Sequence, residues 1–193
     1  METTPFSVVY NNFFSRITDD MFLELDKIDT EKILEELLMQ AIPLFEFPKV
    51  SLDFCPSVIE TVMEEEWNPD TETMDLIPVK KITQEGYFKY KLTLDEISVL
   101  ASYMVVYWLG YQLASVENVR MKYSGSDYKL TSQANHMAKL QSLKNNYQQQ
   151  AFHLQRLYNR RRIGEDGVYV SNLDKLDAAP AWRKGGEPHA YKI

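Results

Sequence analysis

The chain has 193 residues, 45% of them apolar and 12% aromatic, with a formal net charge of −7. That length suits one domain, or a domain with a tail, and that composition can bury a sizeable core, so wholesale disorder and collagen-like sequence are excluded. Cys55 is the one cysteine, which excludes an intrachain disulfide framework and any CxxC metal site.

The charge is unevenly spread. Residues 1–75 hold 18 Asp and Glu against 4 Lys and Arg, whereas residues 76–193 hold 10 against 17. Opposite halves of this kind suit electrostatic complementarity between copies of the chain or with partners. An acidic total argues against a nucleic-acid coat. No basic stretch precedes an apolar run at the N-terminus, so no signal peptide is expected.

In chain order, Phe6, Val9, Tyr10, Phe13, Phe14 and Ile17 recur at helical spacing. Thr18, Asp19 and Asp20 form a capping start for a short second helix with Met21, Phe22 and Leu25. Asp29 and Thr30 can cap a third, in which Ile33, Leu34, Leu37, Leu38, Ala41 and Ile42 make an apolar stripe opposite Glu35 and Glu36. Pro43 and Pro48 punctuate its exit. Phe45 to Phe54 partly alternates and reads as a short strand or an extended loop. Pro56 suits the first turn of a short helix carrying Val58, Ile59, Val62 and Met63 and ending in Glu64, Glu65 and Glu66; Trp67 to Asp70 is a loop.

Met74–Ile82 and Tyr87–Leu92 flank Thr83 to Gly86, so a β-hairpin is expected over 74–92, with Gly86 supplying turn geometry and Pro78 placing its arm at an edge. Thr93 and Glu96 have capping-box spacing. The helix they open runs to about Arg120, and its residues Ile97 to Val116 carry no charge. A membrane span has that length, but Ser98, Ser102, Gln112 and Ser115 dilute the run and favour a central bundle helix. Gly110 would allow close helix approach. After a polar loop at Lys122–Leu130, Thr131 or Ser132 starts a second long helix, on which Met137, Leu140, Leu143, Tyr147, Ala151, Leu154 and Tyr158 form a seam near heptad spacing.

Beyond Tyr158 the pattern breaks. Four of the seven glycines lie after residue 163, so residues 164–193 read as an extended tail. Val168, Tyr169, Val170, Leu173, Leu176, Trp182 and Tyr191 are more apolar groups than a plain linker carries, which points to ordering on a partner by strand addition or by insertion of Trp182 into a pocket. The fold expected is mainly α: a helical bundle with two long C-terminal helices and a small hairpin over residues 1–163, followed by a docking tail over 164–193.

Catalytic chemistry is sparse. His136 and His153 sit on one helix with no acidic residue between Asp127 and Glu165, and His189 lies in the tail, so no metal site is expected. Cys55 has no nearby basic residue to activate it and reads as a buried thiol. Phosphate-loop, dinucleotide-binding and serine-hydrolase motifs are missing. Glu64 to Glu66 could pair for acid–base work but read as a solvated face. No catalytic residue and no cofactor is expected. Arg160, Arg161 and Arg162 are the best charged contact: with the negative end of their own helix, with an acidic partner such as a neighbouring copy, or with DNA.

Residues 92–150 carry a capped LTxxE start, an apolar helix with ASYM, a polar SDYKLTSQA loop and a second helix. In this they resemble the head–tail connector (neck adaptor) proteins of tailed bacteriophages. The resemblance implies a non-enzymatic virion protein, assembled in the host cytoplasm. It would form a ring of usually twelve copies beneath the portal, between portal protein and a tail or stopper protein, through which DNA passes without sequence-specific binding and with no membrane contact. It makes Val168–Ile193 the portal-docking segment and the 132–160 helix a channel-side or inter-subunit surface. Another virion assembly component, such as a tail-completion protein, is the alternative.

Overall fold

A computed structural model describes residues 2–17, 21–68, 73–122, 130–163 and 169–171. The elements are β1 (Thr4–Pro5), α1 (Phe6–Phe14), α2 (Met21–Glu24), α3 (Lys27–Ala41), β2 (Phe54–Cys55), β3 (Val58–Asn68), β4 (Thr73–Gln84), β5 (Tyr87–Phe88), α4 (Leu94–Lys122), α5 (Leu130–Arg160), β6 (Arg161–Ile163) and β7 (Tyr169–Ser171). About 61% is helix and 19% strand, so the fold is mixed α/β and the mainly α expectation is overturned.

The strand content comes from a misread segment. Residues 58–68, expected as a short helix and a loop, form a strand paired antiparallel with β4, with Val62 opposite Val79 and Glu64 opposite Ile77. Apolar residues at 58, 59, 62 and 63 satisfy helical spacing, but Val58, Ile59, Thr61 and Val62 are β-branched and favour an extended backbone. The hairpin is therefore 58–84 and not 74–92, because β4 pairs backward with β3. Tyr87 and Phe88 form the short central strand of a separate sheet in the order β1-β5-β2. Pro78 sits in a two-stranded ribbon, where each strand has a free edge that tolerates the missing N–H.

Gly86 is needed for space. A Cβ there would lie 2.4 Å from ring atoms of Phe6 and 3.0 Å from the Ser57 amide nitrogen. The Phe6 amide donates to the Gly86 carbonyl at 2.8 Å, and the Phe6 ring is wholly buried with its centroid 5.1 Å from that of Phe88.

The helices bury their expected faces. Phe6, Val9, Tyr10 and Phe13 of α1 and Leu34, Leu37, Leu38 and Ala41 of α3 pack against α4. Each such large side chain stabilises the fold by about 1.5–3 kcal/mol. The α3 helix starts earlier than expected: Asp26 caps it, its carboxylate accepting from the Ile28 and Asp29 amides. The proposed cap at Thr18 to Asp20 lies outside the described residues.

Helix α4 is the centre of the core, with Ile97, Val99, Leu100, Tyr103, Met104, Val105, Trp108 and Leu109 all buried. Leu94–Val116 is long and apolar enough to cross a membrane, and 61% of its most apolar window is buried within this fold, as in the core helix of a bundle. Its polar groups are partnered: the Ser102 hydroxyl donates to the Ser98 carbonyl at 2.7 Å and accepts from Arg16 at 2.6 Å, and the Tyr103 hydroxyl donates to Gln155 Oε1 at 2.9 Å.

Helix α5 lies antiparallel on α4 through Leu140, Tyr147, Ala151, Leu154 and Tyr158; Leu143 falls off the seam and is 43% exposed. Gly110 does not mark a close approach. A Cβ there would meet Lys144 Nζ at 3.5 Å, an ordinary contact. Gly110→Ala is therefore expected to raise stability by about 0.5–1 kcal/mol in denaturant unfolding, because alanine restricts the unfolded chain and is the better helix former.

Candidate functional site

The open end of the α4–α5 pair is where the sequence-derived contacts converge. The capping box forms as expected: the Thr93 amide donates to Glu96 Oε2 at 2.7 Å, the Thr93 hydroxyl donates to the same oxygen at 2.9 Å, and the Glu96 amide donates to Thr93 Oγ1 at 3.4 Å. Glu96 is wholly buried. A buried carboxylate needs further donors, and Tyr158 of α5 supplies one, its hydroxyl donating to Glu96 Oε1 at 2.6 Å. The Tyr158 oxygen in turn accepts from the Lys49 amide at 2.7 Å. Lys49 Nζ donates to the Tyr158 carbonyl at 3.0 Å and to the Arg161 carbonyl, and lies 4.2 Å from the Tyr158 ring centre. Asp95 and Arg161 form an outer ion pair at 3.9 Å.

Burial, with Glu96 as acceptor, pushes the Tyr158 phenol up; burial pulls the Lys49 ammonium down, opposed by Asp95 and Glu96. Both Glu96 oxygens are occupied by protein donors and neither meets solvent. The arrangement joins the loop at Lys49, the start of α4 and the end of α5 into one lock. It aims the chain beyond Arg160 but offers no approach to a substrate.

Of the arginines, Arg160 is exposed at the end of α5, Arg161 is partly exposed beside Asp95, and Arg162 lies in β6. Tyr169 and Val170 lie in β7, which returns antiparallel to β6 with Arg162 opposite Val170 and Ile163 opposite Tyr169. β6 ends at Ile163, where the boundary is expected, and β7 pairs back to it. Val168, Leu173, Leu176, Trp182 and Tyr191 lie outside the described residues.

Of Glu64 to Glu66, Glu64 and Glu65 are neighbours on a strand and point to opposite faces, so these two do not pair, and Glu64 accepts instead from Lys81. His136 and His153 are exposed, and His189 lies outside the described residues. Cys55 is half-buried at the edge of the small sheet. Among the described residues no three His, Cys, Asp or Glu side chains are grouped to hold a metal.

An unforeseen polar cluster joins α1, α3 and the β4–β5 turn. The Ser57 hydroxyl donates to Glu31 at 2.9 Å and accepts from the Gly86 amide at 3.0 Å, and Glu85 accepts from the Ser7 amide at 2.8 Å. Burial pushes the Glu31 carboxyl up; the Ser57 donor and Lys27 oppose the shift, and Glu85 and Glu35 add to it. A raised carboxyl binds more protons in the folded than in the unfolded state, so its contribution to stability is lost as pH rises through the folded-state value. Glu31→Gln should raise the melting temperature near neutral pH. That advantage should vanish below the ordinary glutamate range of about 4.3.

Tyr10 is buried beside these carboxylates, and its hydroxyl has no hydrogen-bond partner among the described residues. Burial pushes the phenol up, with Glu31, Glu35 and Glu85 adding to it. Removing an unsatisfied buried hydroxyl is favourable. Tyr10→Phe is expected to stabilise the fold by about 1 kcal/mol, measured by denaturant unfolding.

No protein family, curated protein or solved structure matches this chain.

Proposed function

We propose that the chain is a non-enzymatic connector protein of a tailed-phage neck. It is one protomer of a ring that sits beneath the portal, joins head to tail and continues the DNA channel, with residues 168–193 docking to the portal. The host cytoplasm is the place of assembly and the virion neck the final location.

The observation that carries this reading is the locked α4–α5 pair together with its charge. Helix α5 contains Lys139, Lys144, Arg156 and Arg160 and no acidic residue, while residues 1–75 hold 18 acidic residues against 4 basic ones. Surfaces of opposite sign on one chain suit heterologous contacts, which close into a ring when the rotation permits. The resemblance of residues 92–150 to neck adaptors supports the same reading, and an acidic total suits a conduit through which DNA must slide.

Negative-stain imaging of the purified chain with and without portal protein tests the proposal. Rings, or stoichiometric addition to portal rings, are expected. A strict monomer that ignores portal overturns it. Truncation at Gly164 should abolish portal binding; loss of tail joining with portal binding intact would indicate the tail-completion alternative.

A further inference from the structure

The β3–β4 ribbon carries several exposed large apolar side chains. It is a two-stranded sheet of 11- and 12-residue strands, with no third strand among the described residues. Such a ribbon is marginal in water when it stands alone. On the face shared by Met63, Pro78, Glu65, Leu76 and Met74, Met63 is 56%, Met74 54% and Leu76 62% exposed. Adjacent solvent-facing apolar groups of this size mark an interaction surface. This end of the ribbon, residues 62–68 with 73–79, holds no basic residue; Glu65 lies on the apolar face, while Glu64, on the opposite face, is paired with Lys81.

The complementary surface lies on α5. Phe152, 48% exposed, and Arg156 line an open groove of about 600 Å³ that Glu46 also lines. Arg160, one turn further along the same side, is exposed as well. An apolar ring followed by two guanidinium groups matches an apolar strand face that carries the Glu65 carboxylate, and arginine is the cation best suited to bind it.

We propose that the outer half of the β3–β4 ribbon of one copy seats on the Phe152–Arg156–Arg160 side of α5 in the next copy, Met63 and Leu76 covering Phe152 while Glu65, on the same face, meets the arginines. That the occupant is a second copy rests on the ring proposed above and on the charge division: the outer half of the ribbon, which holds no basic residue, and the acid-free helix belong to one chain. The two surfaces are different, so the contact is head-to-tail and each copy presents both halves. Seating also covers the apolar face that a lone ribbon leaves in water.

The test is a charge exchange followed by analytical ultracentrifugation of the full chain. One variant carries Glu65→Lys, the other Arg156→Glu and Arg160→Glu. Each alone is expected to self-associate at least tenfold more weakly than the parent. An equimolar mixture should recover association, because each variant then finds an opposite surface on the other. Recovery also shows that both are folded. If either reversed variant does not fold, Leu76→Ser and Phe152→Ala replace the reversals, and each should weaken association at least tenfold. Oligomers of the parent that persist unchanged in the variants, or folded variants that stay apart when mixed, overturn this contact and leave the ring proposal standing. A parent chain that is monomeric at all concentrations, with and without portal, overturns both.

Discussion

Tyr158→Phe is expected to lower the stability of the fold by about 2–4 kcal/mol, a large share of the 5–15 kcal/mol typical of a domain. The substitution keeps the ring, and with it the edge contact to Phe45 at 5.2 Å and the position beneath Lys49 Nζ. What it removes is one oxygen with two roles. The hydroxyl donates to Glu96 Oε1, and the same oxygen accepts from the Lys49 amide. Without it, a wholly buried carboxylate oxygen loses its donor and a part-buried amide loses its acceptor. Leaving a charged group unsatisfied costs more than the net value of the bond it made. For a chain of this size the loss corresponds to roughly 5–15 °C in melting temperature.

A double-mutant cycle with Glu96→Gln separates the lock from general packing. If the hydroxyl acts through the carboxylate, the two substitutions should be non-additive by at least about 1 kcal/mol. Additive effects would show that the ring alone matters. Because this lock sets the end of α5, the Tyr158→Phe chain should also present β6 and β7 less rigidly. Faster amide exchange at residues 161–163 would register that change.

Gly86→Ala is expected to cost about 1–3 kcal/mol, the range for overpacking a filled interior. The added methyl would sit 2.4 Å from two carbons of the Phe6 ring, and 3.0 Å from a backbone nitrogen that has little room to retreat. Phe6 is wholly buried, with ring contacts to Tyr10, Phe54 and Phe88, so it cannot swing away without opening the aromatic cluster that joins α1 to the small sheet. Denaturant unfolding of Gly86→Ala, Phe6→Leu and the double variant checks this. The smaller side chain should offset part of the alanine clash, making the double variant more stable than the sum of the singles predicts. The opposite expectation at Gly110, where the same substitution stabilises, shows that the two glycines differ in surroundings and not in residue type.

Much of the helical framework was legible locally. Thr93 and Glu96 are three residues apart and satisfy one another's backbone groups within a single turn, so spacing alone identifies the cap. The stripe of Leu34, Leu37, Leu38 and Ala41 and the charge-free run from Ile97 declare buried faces for the same reason: one-sided or all-round burial leaves a pattern with the helical period. Residues 58–66 were not legible in this way. Their apolar positions fit both periods, and the pairing that decides between them is made with residues up to 84, beyond any local window. The α3 cap was misplaced by three residues because Asp26 and Asp29 are both competent caps.

The site divides along the same line. From the sequence come the opposite charges of the two halves, the acid-free final helix and the arginine run, because formal charge needs no neighbour to define it. That Glu96 is fully enclosed depends on Tyr158, 62 residues away, and Tyr158 is held by Lys49 across a separation of 109. Only tertiary structure makes those contacts, and it alone turned an exposed-looking acidic stretch into the edge of an apolar ribbon. Composition determines which groups are present and local spacing which helices form. Burial and strand pairing are properties of residues distant in the chain, and their energies exist only once those residues meet.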